Sequence, residues 1–202
     1  MEIVLASRNK KKIAELQTML SAVSSLDIKI LSLDDIGVFD DIEENGETFE
    51  ENATIKASVG ASRGYITIAD DSGLCVDALG GAPGVHSARF SRQGDDGNNK
   101  LLIEKLKGLP TEKRTARFIT NVVCIFPEQN DEIVTTGEVV GYITEQPSGT
   151  NGFGYDPYFF YPPFNKTFAE LSSEEKNLIS HRGKAMRAFA EKLVEKAKEY
   201  NL

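Results

Sequence analysis

Two long β-type runs, Thr115 to Phe126 and Glu132 to Ile143, flank the turn-rich Pro127-Glu128-Gln129-Asn130-Asp131 and predict a long antiparallel hairpin. A hairpin of that length commits the chain to a sheet. Ile3 to Ser7 and Ile28 to Leu33 read as further strands, and Ile66 to Ala69 and Leu74 to Val76 as two more, joined by a tight turn at Asp70-Asp71-Ser72-Gly73. Between them lie helical patterns. Ile13, Leu16, Met19 and Leu20 share one face of a helix from Lys10 to about Leu20. Thr48-Phe49-Glu50-Glu51 fits a capping box for a helix that Gly64 would stop near Arg63. Asn98 to about Lys107 reads as a helix ended by Gly108 and Pro110. Ser180 caps a last one, in which Ala185, Met186, Phe189, Leu193 and Ala197 recur at three-to-four spacing. The expected fold is a mixed α/β domain spanning residues 1–202, built on a twisted, partly antiparallel sheet.

Composition narrows the function. The 202 residues carry 23 Lys and Arg against 31 Asp and Glu, a formal charge of −8. An extended basic face for a nucleic acid polymer is therefore not expected, whereas a small anion needs only a few local cations. The two cysteines, Cys75 and Cys124, form no metal-ligand spacing. No signal-like segment occupies Met1 to Leu20, and no apolar run approaches the roughly 20 residues that span a bilayer. The expectation is a cytoplasmic protein with no membrane partner.

Two motifs follow apolar runs and carry complementary charge. Ser7-Arg8-Asn9-Lys10-Lys11-Lys12 follows Ile3-Val4-Leu5-Ala6, where a strand gives way to a helix. Backbone N–H groups and the helix dipole at such a junction favour a phosphate. The Walker pattern is absent, and a capped, solvated basic turn is the plainer reading; yet cations at a helix start oppose the dipole unless an anion offsets them. Asp70 and Asp71 follow Tyr65 to Ala69, and strand alternation sends only one of them to a given face. Magnesium takes few carboxylates, several waters and substrate phosphates. A second carboxylate would come from Glu43, Glu44 or Glu47 in the acidic loop; the plainer reading is a turn with ordinary Asx capping.

Asn52 and Lys56, four apart, share a helix face with Phe49 one turn earlier. They either point an amide and an ammonium into a site, or Lys56 snorkels from a buried stem. Phe153-Gly154-Tyr155-Asp156-Pro157 follows the glycine-rich stretch from Ser148, and an aromatic so placed stacks on a base or packs in a core. Lys176, His181 and Arg182 form a donor-rich group near the start of the last helix.

Five segments together resemble the inosine/xanthosine triphosphate pyrophosphatase family. They are Ser7, Asn9 and Lys12; Glu44 to Ala53; Ala69 to Arg89; Gly149 to Pro157; and Ser180 to Ala185, in the family's order. The resemblance implies two lobes around a central cleft, a homodimer, a magnesium cofactor, and cleavage of purine nucleoside triphosphates such as ITP, dITP and XTP to monophosphate and pyrophosphate. It implies that Ser7, Arg8, Asn9, Lys10, Lys11 and Lys12 hold the triphosphate with Lys56, and that Asp71 is the metal-linked acid/base with Glu43 as second metal carboxylate. It further implies that Ser72 contacts substrate, that Phe153, Gly154, Tyr155 and Asp156 form the base pocket, and that Lys176, His181 and Arg182 read the purine edge. The rivals are the related Maf-like hydrolases, against which the Lys176/His181/Arg182 group weighs, and a catalytically silent nucleotide-binding module.

Overall fold

The computed structural model describes residues 1–8, 13, 16–18, 20 and 27–202. The described strands form a seven-stranded sheet in the order β2-β1-β3-β4-β5-β6-β7, with β1 Glu2–Leu5, β2 Lys29–Leu31, β3 Ile66–Val76, β4 Thr115–Phe126, β5 Asp131–Ile143, β6 Phe159–Tyr161 and β7 Lys166–Thr167. β1 pairs in parallel with β2 and β3, with Ile3 opposite both Ile30 and Ile66, and β6 is antiparallel to β5 and β7. The long hairpin is present, and Asn130 closes its turn at a φ of 50°, a conformation asparagine tolerates well. Among the described residues no helix is long and apolar enough to cross a membrane.

The chain divides into two compact units. The first comprises residues 1–71, 121–136 and 185–202. Its short parallel strand β1 is apolar at every inner position because both faces are covered. Ile3 and Leu5 pack with Ile68, Phe126, Phe189 and Leu193, while Val4 and Ala6 pack on the other side with Val38, Ala53, Ala57 and Ala69. Alternation along one strand thus feeds two core clusters. Helix α1, Phe49–Ala61, opens on the expected capping box, Thr48 accepting from the Glu51 N–H and Glu51 accepting from Thr48. It lies close on β3 because residue 60 is glycine; a Cβ there would collide with the Thr67 hydroxyl.

The second unit comprises residues 72–120 and 137–184. Its core joins Leu74, Val76, Leu102, Val139 and Ile143 to an aromatic group, Phe118, Phe159 and Phe168, with ring centroids 4.7–5.8 Å apart. Helix α2 runs Gly94–Lys105, starting four residues before the expected Asn98. A short helix α3, Ser173–Ile179, was not read from the sequence; it opens on its own capping box, Ser172 with Glu175. The last helix, α4, is His181–Tyr200, and the Gly183 N–H donates to the capping Ser180 hydroxyl.

One expectation fails. Residues 66–76 are a single unbroken strand, not two strands around a turn. Gly73 is not among the glycines with positive φ, and the polar side chains along the run find partners without any reversal of the chain. Asp71 accepts from Asn52, and the Ser72 and Thr120 hydroxyls share a hydrogen bond of 2.9 Å.

Candidate active site

In the first unit, β3 and α1 build a charged cluster. Burial along β3 places Asp70 inside at 5% exposure and leaves Asp71 partly open, as alternation requires. Asn52 and Lys56, one turn apart on α1, both reach Asp71. The Asn52 amide donates to Oδ2 at 3.1 Å, and the Lys56 ammonium lies 3.5 Å from Oδ1. The Gly46 N–H occupies the Asn52 Oδ1 at 2.8 Å, so the amide is fixed with its NH₂ toward Asp71. Lys56 also donates to Glu44 at 2.9 Å. Its side chain is only 13% exposed, so this is an ammonium held out of water between two carboxylates.

Glu44, not Glu43, is therefore the loop carboxylate brought to this cluster. Exposure alternates along 41–47, with Ile42, Glu44 and Gly46 turned inward and Glu43 and Glu47 outward. The Gly46–Asn52 bond sets that phase. Among the described residues no group of three or more His, Cys, Asp or Glu gathers as a metal site. Two carboxylates converging on one cation still fit magnesium, which draws its remaining ligands from water and phosphate.

Of the basic motif, Ser7 follows β1, while Asn9, Lys10, Lys11 and Lys12 lie outside the described residues. Arg8 has partners other than the phosphate expected of it. It donates to Asp34 at 3.0 Å, Asp41 at 3.2 Å and the carbonyls of Val38 and Asp40, tying down the acidic loop. Ser72 is engaged with Thr120.

In the second unit the glycine-rich stretch presents Phe153, 76% exposed, at the surface. Asp156 beneath it is buried and accepts the Phe153 N–H at 2.9 Å and the Lys176 ammonium. Gly152, at a φ of +77°, is obligatory, because a Cβ there would strike the Asp156 carboxylate. Lys176, on α3, stands 4.8 Å from the centre of the Phe153 ring and 5.7 Å from that of Phe168. Phe168 stacks on Phe118, and Phe118 stacks on His181 at 4.8 Å and 12°. Lys176 and His181 are thus linked through two rings, with Arg182 half-buried beside His181. Tyr155 is buried, donates to the Ser87 carbonyl at 2.8 Å, and has its pKa pushed up by burial. Burial likewise raises the Asp156 carboxyl; Lys176 and the Phe153 N–H pull it back, and the charge of Asp95 adds to the rise. Phe118, on β4, and Phe168, at the start of a 3-10 turn, complete this group although buried aromatics read from sequence only as core.

A cavity of about 290 Å³ lined by Met1, Glu2, Tyr65, Ile66 and Leu202, among others, contains none of the expected site residues.

The first unit thus carries a carboxylate–ammonium cluster on its sheet, and the second an exposed aromatic loop with the Lys176 ammonium against it. The chain belongs to the Ham1 family, whose model matches residues 3–192. It is 48% identical over 192 residues to a dITP/XTP pyrophosphatase of Bacillus licheniformis, covering 94% of this chain and 96% of that one. It is 46% identical over 197 residues to a dITP/XTP pyrophosphatase of Leuconostoc mesenteroides, covering 96% of each. The structure of a HAM1 protein from Coxiella burnetii superposes with a TM-score of 0.90 at 41% identity, covering 96% of this chain and 99% of that one.

Proposed function

We propose that this protein hydrolyses non-canonical purine nucleoside triphosphates, ITP, dITP and XTP, to the monophosphate and pyrophosphate, keeping deaminated purines out of DNA and RNA. The observation that carries the reading is Asp71, a strand carboxylate oriented by Asn52 and paired with the largely buried Lys56 ammonium. The names of the relatives point the same way.

Phosphoanhydride hydrolysis needs charge neutralisation, an oriented water and little covalent help. Asp71, which accepts from Asn52 and lies beside the Lys56 ammonium, takes a proton from the attacking water as its oxygen bonds to phosphorus. The bond between the α and β phosphates then breaks, and the leaving pyrophosphate carries away the bridging oxygen. Lys56, with Ser7 and the Asn9–Lys12 motif, neutralises phosphate charge. Arg8 acts indirectly, by holding the loop that bears Glu44. Asp71 and Glu44 would hold magnesium, which supplies further charge neutralisation on the phosphate oxygens.

Phe153 stacks on the base, and Lys176, His181 and Arg182 present donors to its edge. Hypoxanthine and xanthine offer a keto acceptor at position 6, whereas adenine offers an amino donor. Adenine would leave those donors unpaired, a mismatch that rejects ligands by roughly 10⁴–10⁵. GTP shares the 6-keto group, so its weaker exclusion depends on the 2-amino position. The same reading makes the protein a cytoplasmic homodimer, resting on the family resemblance.

Assaying ITP, XTP, GTP and ATP with magnesium, and measuring pyrophosphate against orthophosphate, tests this directly. Pyrophosphate release from ITP and XTP, weaker from GTP and weakest from ATP, is expected. Orthophosphate as the first product, or no turnover of ITP, would sink the reading.

A further inference from the structure

Gly154, at the centre of the base-stacking loop, has both backbone groups taken by side chains of one helix. Its N–H donates to the Asp95 carboxylate at 2.9 Å, and its carbonyl accepts from the Asn99 amide at 2.9 Å. Asp95 and Asn99 lie four apart on α2 and so share a face. We propose that Asp95 and Asn99 are positioning residues that set base selectivity by clamping Gly154, and so fix where Phe153 stands relative to Lys176. The inference rests on the base-reading role given to Phe153 above.

Three features support it. Gly154, at a φ of +58°, sits inside a turn closed by the Asp156 N–H on the Phe153 carbonyl, and its own N–H and carbonyl make no backbone bond among the described residues. Two side-chain bonds to its two peptide groups supply what secondary structure would otherwise supply. Asn99 also bears a cost. It is 8% exposed, and its Oδ1 is buried with no hydrogen-bond partner among the described residues. The Gly154 carbonyl can only accept, so the amide must turn its NH₂ to the loop and leave its oxygen orphaned. A buried acceptor left unpaired disfavours folding, and an apolar residue would avoid that penalty. A side chain retained at such a cost is explained by what it holds. Finally, the clamp continues into the loop: Tyr155 is tethered to the Ser87 carbonyl, and Asp156 takes both the Phe153 N–H and Lys176. With Gly154 fixed, the ring of Phe153 and the ammonium of Lys176 are held 4.8 Å apart as a preformed platform and edge.

The chain has no tryptophan, so Phe153→Trp places a single fluorescent reporter on the loop. In that background Asn99→Ala and Asp95→Ala should lower the steady-state anisotropy of the reporter, and Asp95→Asn, which keeps an acceptor for the Gly154 N–H, should restore it. Unchanged anisotropy would overturn the clamp whatever the enzyme does. With Phe153 in place, Asn99→Ala should raise KM for ITP and narrow the ITP-to-ATP ratio of kcat/KM by about tenfold, within the cost of a small misplacement. The melting temperature should stay level or rise, because the orphaned acceptor is removed as well. If anisotropy falls while ITP and ATP decline in equal proportion, the selectivity role is wrong. Wild-type protein that cleaves ITP and ATP alike would instead break the base-reading itself, and this inference with it.

Discussion

Asp71 stands in the middle of a long strand, and its partners Asn52 and Lys56 come from successive turns of a capped helix packed against that strand. Phe153 stands on a loop, largely exposed, and is held by one backbone bond from the Asp156 N–H and by side chains reaching to backbone groups around it. The first site is made of charges, two carboxylates around one ammonium; the second is a hydrophobic ring with the Lys176 ammonium 4.8 Å from its centre. Proton transfer tolerates little positional error, and on the proposed function the chemistry would sit on regular elements. A flat base needs an open ring, which a loop can offer and a packed strand cannot. The division predicts that damage to the first site reduces turnover of every substrate, whereas damage to the second changes which substrate is preferred.

The largest effect is expected at Asp71. Asp71→Asn keeps the shape of the side chain and its place beside Asn52 but removes the charge that accepts a proton. Turnover should fall by roughly 10²–10⁴, the range for loss of a general base, for ITP and XTP alike. Thermal unfolding should show an intact fold, since Lys56 retains Glu44. Near-normal turnover would move the catalytic role to Asp70 and break the comparison at its first term.

A smaller and selective effect is expected at Arg182. Arg182→Ala should reduce kcat/KM for ITP by roughly 10- to 100-fold, the value of one charged hydrogen bond left unmade, and leave residual ATP cleavage nearly untouched. Equal losses on both substrates, measured side by side, would mean that Arg182 serves phosphate or structure.

Much of the first unit's site was legible because its signals are local. The capping box at Thr48 and Glu51, the spacing of Asn52 and Lys56, and the apolar run before Asp70 each specify a structure within a few residues. What failed depended on distant partners. Asp70-Asp71-Ser72-Gly73 has the composition of a turn, and its place in the sheet beside β4, far along the chain, makes it a strand, with Asn52 and Thr120 engaging its side chains. The choice of Glu44 over Glu43 hangs on the phase of an irregular loop, set by the bond from Gly46 to Asn52. The carboxylate partners of Arg8, at Asp34 and Asp41, lie too far along the chain to be read from its motif. Helix α3 is too short for periodicity, and only Ser172 and Glu175 signal it. In the second unit the aromatic motif was plain, but its supports on α2, Asp95 and Asn99, carry no motif at all.

The smallest expected effect concerns stability, and it sharpens the contrast from the side of the loop. Asp156 is buried, and its carboxyl is held above the ordinary value of 3.8 chiefly by that burial, with Lys176 and the Phe153 N–H opposing. A carboxyl whose folded pKa exceeds its unfolded one binds its proton more tightly in the folded protein. Its stabilising contribution is therefore complete below pH 3.8 and is lost as the pH rises through the raised folded value. Carboxylates such as Asp35, Asp77 and Glu175, all shifted downward, act in the opposite sense, so the total curve hides the effect of one group. A difference isolates it. Urea unfolding of wild type and Asp156→Asn across this range should show the stability of the wild type, relative to the variant, declining as the pH rises above 3.8. The change should be modest, because the ammonium of Lys176 offsets much of the burial. A difference that stayed flat with pH would mean that Lys176 and the Phe153 N–H balance the burial of Asp156 completely.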